Sequence, residues 1–133
     1  MEKTDREIFE AFLFDLVAGR HERVAAVLDD RVLWHLPPFA RQPPLEGPDA
    51  VLRFLAEAPA AFYAPGTLEI EPVEFAVANG IAACLATMRA TTRYGAPYEN
   101  RYVFFARLSA GRLVEVWEVL DSAVLLDQMK VRP

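Results

Sequence analysis

Apolar side chains recur at helical spacing near the start of the chain, at Ile8, Phe9, Phe12, Leu13, Leu16 and Val17. Thr4 with Glu7 three residues later is a capping-box signature, and Gly19 stops the helix. A second short helix is predicted from about His21 to Leu28, with Val24, Val27 and Leu28 on its apolar face and Asp29 and Asp30 ending it. Val32 to Leu36 reads as a strand. Pro37 and Pro38 close it and open a proline-rich loop to Gly47. Pro48 suits the first turn of a third helix, whose stripe is Val51, Leu52, Leu55 and Ala58. Pro59 interrupts that helix, and Gly66 ends the region.

Beyond Gly66 the period drops to two. Asn79-Gly80 is a hairpin turn between Leu68–Ala78 and Ile81–Tyr94. Pro72 marks the first of these as an edge strand or the site of a bulge. The chain turns again at Gly95-Ala96, by a tight turn or by a four-residue loop closing Arg93 on Tyr98. The last segment reads as strand (YENRYVFFARL), turn (SAG), strand (RLVEVWEVL) and short helix (DSAVLLDQM, to Met129). The order of elements predicts an α+β fold, a single domain over residues 1–133 with its helices gathered on one face of an antiparallel sheet.

The turns imply a register. A three-residue turn ending at Gly111, a glycine with positive φ, puts Leu108 opposite Arg112 and Tyr102 opposite Glu118. Either connection at Gly95 puts Arg89 opposite Tyr102. Arg89, Tyr102 and Glu118 then form one row, and Met88, Val103 and Trp117 the next row on the other face. Tyr98, Asn100, Tyr102, Phe104 and Ala106 belong inside with Val114, Val116, Glu118 and Leu120. Leu85, Thr87 and Arg89 follow them inward only through the pairing.

A carboxylate among Phe104, Val116 and Leu120 is desolvated, which raises its pKa, while Arg89 beside it would lower it. Tyr102 is a donor for that carboxylate or for a ligand oxygen. These are components of general acid–base chemistry; the plainer reading is a structural Arg–Glu pair bridged by a tyrosine. His35, at the mouth of the first strand, is a candidate proton shuttle or, more plainly, a satisfied rim residue.

Composition narrows the partners. The net charge of −5 comes without a basic cluster, which argues against nucleic acid. No apolar run approaches the roughly 20 residues of a membrane span, and the acidic, polar start MEKTDREIFE is unlike a signal peptide. The cytoplasm is the default compartment. Two separated histidines and a single cysteine, Cys84, give no metal signal.

Three segments, LDDRVLWHLPP, LEGPDAVLRFL and GRLVEVWEVLD, in this order and spacing, resemble SnoaL-like and ketosteroid-isomerase-like domains of the nuclear-transport-factor-2-like superfamily. The resemblance implies a curved antiparallel sheet packed on three helices of the N-terminal half around a cone-shaped pocket. Members include polyketide cyclases, ketosteroid isomerase, limonene epoxide hydrolase and scytalone dehydratase, and others that only bind or assemble. His35 falls where the isomerase has its base, while the isomerase's buried acid has no counterpart in the Tyr102–Phe104 stretch. Glu118 falls where the epoxide hydrolase has one carboxylate, but Leu85 and Thr87 stand in place of its arginine and second aspartate.

A cyclase-like arrangement survives best. The expectation is a cofactor-independent pocket for a small, largely apolar, carbonyl-bearing molecule. Glu118 or His35 would take a proton next to the carbonyl. Tyr102, with Arg89 or Asn100, would steady the oxyanion, and Thr87, Phe104, Val116 and Leu120 would complete the lining. The alternative is a non-catalytic ligand-binding or dimerisation domain. A homodimer is expected through the outer sheet face at Met88, Val103 and Trp117, with Phe105, Val119 and Trp34 nearby.

Overall fold

The computed structural model describes residues 2–128, so Met129 at the end of the expected last helix lies outside the described residues. Helix α1 (Asp5–Ala18) opens on the Thr4–Glu7 capping box and ends at Gly19 with φ 76°. Helix α2 (His21–Ala26) is shorter than expected, and Asp29 and Asp30 lie in strand β1 (Leu28–His35) instead of ending the helix. The cause is local. The Val27 carbonyl accepts from the Leu113 N–H at 2.8 Å, so the chain joins the sheet there.

The proline-rich loop holds a 3-10 turn at Pro38–Ala40 and a two-residue strand β2 (Leu45–Glu46). Helix α3 (Gly47–Glu57) carries Pro48 in its first turn, and a second 3-10 turn follows at Pro59–Ala61. Strands β3 (Glu69–Ala78), β4 (Ile81–Thr91), β5 (Pro97–Ser109) and β6 (Arg112–Leu120) precede helix α4 (Ser122–Gln128). The six strands form one curved, open sheet in the order β2-β1-β6-β5-β4-β3. Neighbours are antiparallel except β1 and β6, which run parallel. Pro72 sits on edge strand β3 and also at a bulge.

The registers differ from expectation, with unequal consequences. The last turn holds two residues, Ala110 and Gly111, both at positive φ, with Ser109 paired to Arg112. A bulge follows between Arg107 and Leu108, where Val114 is the extra residue. Leu108 therefore faces Leu113, Tyr102 faces Leu120, and Glu118 faces Phe104. The slip for Tyr102 is two residues, so from Val116 to Leu120 the faces of β6 are as expected, while at the bulge Leu113, and not Val114, is the residue buried in the core.

Between β4 and β5 the slip is three residues, an odd number, and every β4 side chain changes sides. Tyr102 faces Ala86, and Arg89 faces Glu99. The inward residues of β4 are Ala82, Cys84, Ala86 and Met88. Met88 is thus in the interior and not on the outer face, and Arg89 lies outside, bonded to Glu71 at 2.8 Å and to Glu99 at 2.7 Å. Trp34 is likewise core, fully buried against Phe12.

Helix α1 seals the interior with Phe9, Phe12 and Leu13, packing over β3 and β4, while α3 packs over β1. Cys84 lies in this core, and burial pushes its thiol up to about 11. The helices and the concave sheet face do not close on one another completely. The gap between them positions the site.

Candidate functional site

A cavity of about 190 Å³ lies between the concave sheet face, α1, α3, both 3-10 turns and α4. Its wall is mostly apolar, with Leu36, Phe39, Phe54, Phe62, Met88 and Leu125 among the lining side chains. Three polar side chains reach it: Glu118, Tyr102 and Tyr63.

Glu118 is brought inward by the alternation of β6 and stands across from Phe104. Its accessible surface is that of a half-buried residue because it fronts the cavity, yet core atoms surround the carboxyl and little bulk water does. That desolvation raises its pKa to about 7, so it exchanges a proton near neutrality. Arg89 does not oppose this, being on the other face. The one group that pulls the pKa down is the indole of Trp34. Its Nε1 lies toward Glu118 without forming a hydrogen bond of full geometry.

The tyrosines form a chain whose polarity can be read. Asn100 Oδ1 accepts from the Arg101 N–H at 2.8 Å, and Nδ2 donates to the Asp121 carbonyl at 3.0 Å, which fixes the amide's orientation. Nδ2 also donates to Tyr98 Oη at 2.8 Å. Tyr98 is 2 % exposed, so its own proton needs a partner, and Tyr102 Oη at 3.1 Å supplies it. Tyr102 Oη and Tyr63 Oη stand 2.7 Å apart, and either hydroxyl can donate to the other. With Tyr98 donating to Tyr102, one hydroxyl proton of the Tyr63–Tyr102 pair, both of which line the cavity, is left free to donate to a ligand. Burial foremost raises the pKa of Tyr63 and Tyr102 beyond any physiological range, so both remain neutral donors.

Of the residues expected at the site, Glu118, Tyr102, Phe104 and Leu120 line this cavity. Val116 is buried without lining it, and Asn100, buried as well, lines a second, polar groove. Arg89 and Thr87 border a separate polar groove with Glu99, Arg101 and Asp121. His35 is also elsewhere. Its partner on β6 is Trp117, on the outer face, where the two rings stack 4.7 Å apart. His35 Nε2 meets Glu115 Oε2 at 2.6 Å. Glu118 and His35 therefore do not share a cavity, and no common reacting atom lies between them.

Tyr63 escaped the sequence reading because it sits in the connection after α3, where no periodicity marks a face. Its backbone N–H bonds the Pro59 carbonyl at 2.8 Å, and an isolated bridge ties it to Thr92. The available signal was the pair Phe62-Tyr63, two large aromatics between Pro59 and Pro65 in a stretch otherwise of alanine. Among the described residues, no group of three His, Cys, Asp or Glu side chains is placed to hold a metal ion.

The family model of the SnoaL-like domain matches residues 6–116, so the chain belongs to the SnoaL-like domain family. The match ends two residues before Glu118. A protein of unknown function from Burkholderia pseudomallei, described as nuclear-transport-factor-2-like, superposes with a TM-score of 0.85 at 20% identity, covering 98% of this chain and 100% of its own. IdmH from Streptomyces antibioticus, described as a candidate polyketide cyclase, gives 0.78 at 21% identity over 96% and 100% of the two chains. A SnoaL-like protein from Jannaschia, also described as a candidate polyketide cyclase, gives 0.79 at 13% identity over 100% and 99%. At these identities the likeness concerns the fold. A comparison with curated protein sequences gives no significant match.

Proposed function

We propose that the cavity binds a small, largely apolar, carbonyl-bearing molecule and moves a proton next to its carbonyl, without a cofactor, in the manner of a cyclase or isomerase. The observation that carries this reading is Glu118: a carboxyl poised at about 7 in the wall of an otherwise apolar cavity. Tyr63 stands with it, at the cavity end of a hydroxyl chain that Asn100 feeds through Tyr98 and Tyr102.

The chemistry follows from these groups. The Glu118 carboxylate takes a proton from the carbon beside the carbonyl. The C–H electron pair moves into the carbonyl, whose oxygen becomes an enolate held by Tyr63. The protonated Glu118 returns the proton to carbon, at the same or another position. The polyketide cyclase descriptions of two fold neighbours accord with such carbonyl chemistry, although fold by itself does not assign it.

The test needs no knowledge of the natural substrate. A panel of aryl methyl ketones is incubated with the protein in D2O, and deuterium entry beside the carbonyl is followed by NMR. Exchange above the buffer rate that vanishes in Glu118→Gln supports the reading. Equal rates for wild type, variant and buffer remove it, and favour a domain that only binds or assembles.

One observation favours self-association in either case. Val103 and Val119 are exposed on the outer face beside Phe105 and Trp117, whose rings meet edge to face at 5.2 Å. Such a patch suits a homodimer interface. Met88 and Trp34 have no part in it.

A further inference from the structure

Trp34 Nε1 is, among the described residues, the buried side-chain polar atom that lacks a hydrogen-bond partner. Buried donors are nearly always paired, so an unpaired one calls for a reason. Trp34 does not line the cavity, which leaves its N–H out of reach of a bound ligand. What it can reach is set by the sheet. Trp34 is the β1 partner of Val116 on β6, and Glu118 is two residues further along β6 on the same face. The diagonal neighbour of the indole is therefore the cavity carboxyl.

We propose that Trp34 is a positioning residue for Glu118, its indole N–H held in reserve for the carboxylate form. The inference rests on the acid–base reading of Glu118. When the carboxyl is protonated its demand for a donor is small, and the N–H stays unpaired. When the proton leaves, the anion turns to the indole, which holds the charge at the back of the cavity and fixes the direction from which the carboxylate faces its substrate.

The other groups around Glu118 are few. Tyr63 and Tyr102 are neutral, and the lining side chains from α1, α3, β4 and α4 are apolar. His35, Glu115 and Arg107 lie on the far side of the sheet, grouped with Trp117. With the tyrosine hydroxyls facing the ligand, the indole is the donor that stands behind the carboxyl among the described residues.

The test uses the protein alone. Carbon-13 NMR of glutamate-labelled protein gives the titration midpoint of Glu118, assigned by its loss in Glu118→Gln. In Trp34→Phe the donor is gone, and the midpoint moves up. Loosened packing that merely admitted water would move it down, so the sign separates positioning from structure. In parallel, Trp117→Phe leaves Trp34 as the chain's sole tryptophan. Its emission should change with pH at the Glu118 midpoint and lose that change when Glu118→Gln is added. This second arm decides the matter if Trp34→Phe does not fold. A neutral midpoint unchanged or lowered in Trp34→Phe, or pH-independent emission while Glu118 titrates, overturns the proposal and leaves the acid–base reading intact. A Glu118 midpoint in the ordinary carboxylate range overturns both.

Discussion

The hydroxyls of Tyr63 and Tyr102 stand 2.7 Å apart at the wall of the cavity that Glu118 also lines. That bond uses one of the two hydroxyl protons. Asn100 is locked by two backbone partners and Tyr98 is too buried to waste its proton, so Tyr98 donates to Tyr102 and the second proton of the Tyr63–Tyr102 pair is left toward the cavity. A ligand at this pair therefore meets a donor, so an acceptor oxygen is favoured.

Replacing Tyr63 by Phe tests this directly. The variant should bind acetophenone more weakly than the wild type by about 1 kcal/mol, the usual net worth of a neutral hydrogen bond. Binding of ethylbenzene, the matching hydrocarbon, should change little. Calorimetric titration of both ligands checks the pair, and an equal loss for both would show that Tyr63 contributes only shape.

Glu118 also makes a prediction about stability. Its pKa is raised in the fold to about 7 from the ordinary carboxyl value of 4.5. In the window between these values the unfolded chain has released the proton and the folded one keeps it. The contribution is thus fully favourable below the unfolded value and is lost as pH rises through 7, on the order of 3 kcal/mol as an upper figure. Thermal melts of wild type and Glu118→Gln should converge at low pH, and the variant should gain relative to the wild type toward pH 8. An ion pair with Arg89 would demand the opposite, a variant destabilised at neutral pH. The structure gives Arg89 to Glu71 and Glu99 instead.

The outer face predicts an assembly. Changing Trp117 and Val103 to charged residues should give monomers, while the cavity, on the other face of the sheet, still takes up apolar ligands. Sedimentation velocity at tens of micromolar checks it, and a monomeric wild type would count against the interface.

Gly80 and Gly66 separate strain from crowding. Both have positive φ, but a Cβ on Gly80 would sit 2.9 Å from the Leu108 carbonyl oxygen, while one on Gly66 meets nothing. Gly66→Ala should cost on the order of 1 kcal/mol from backbone strain alone, and Gly80→Ala clearly more. Urea denaturation of the two variants gives the comparison.

How far the sequence reached depends on parity. Helix α1, the Asn79-Gly80 hairpin and the Pro72 bulge rest on local chemistry and are where the pattern puts them. Glu118 also faces inward as expected, because a turn shortened and a bulge added moved Tyr102 by two positions, and an even slip keeps the face. The β4–β5 connection slipped by three, and that sent Arg89 outside and Met88 in. No local signal fixes such a loop, since the alanine-rich β4 has no strong polar face of its own. His35 was misplaced for a related reason. It is the immediate neighbour of Trp34, and in a strand a step of one position is the difference between the core and the outer surface.

One carboxyl carries the proposed chemistry, and its titration tests that chemistry first. Carbon-13 NMR of glutamate-labelled protein between pH 4 and 9 should show one carboxyl resonance with a midpoint near 7, absent from Glu118→Gln. Exchange of ketone protons for deuterium should rise through the same midpoint. A Glu118 resonance that titrates with the ordinary carboxylates, at about 4.3, would contradict the central claim.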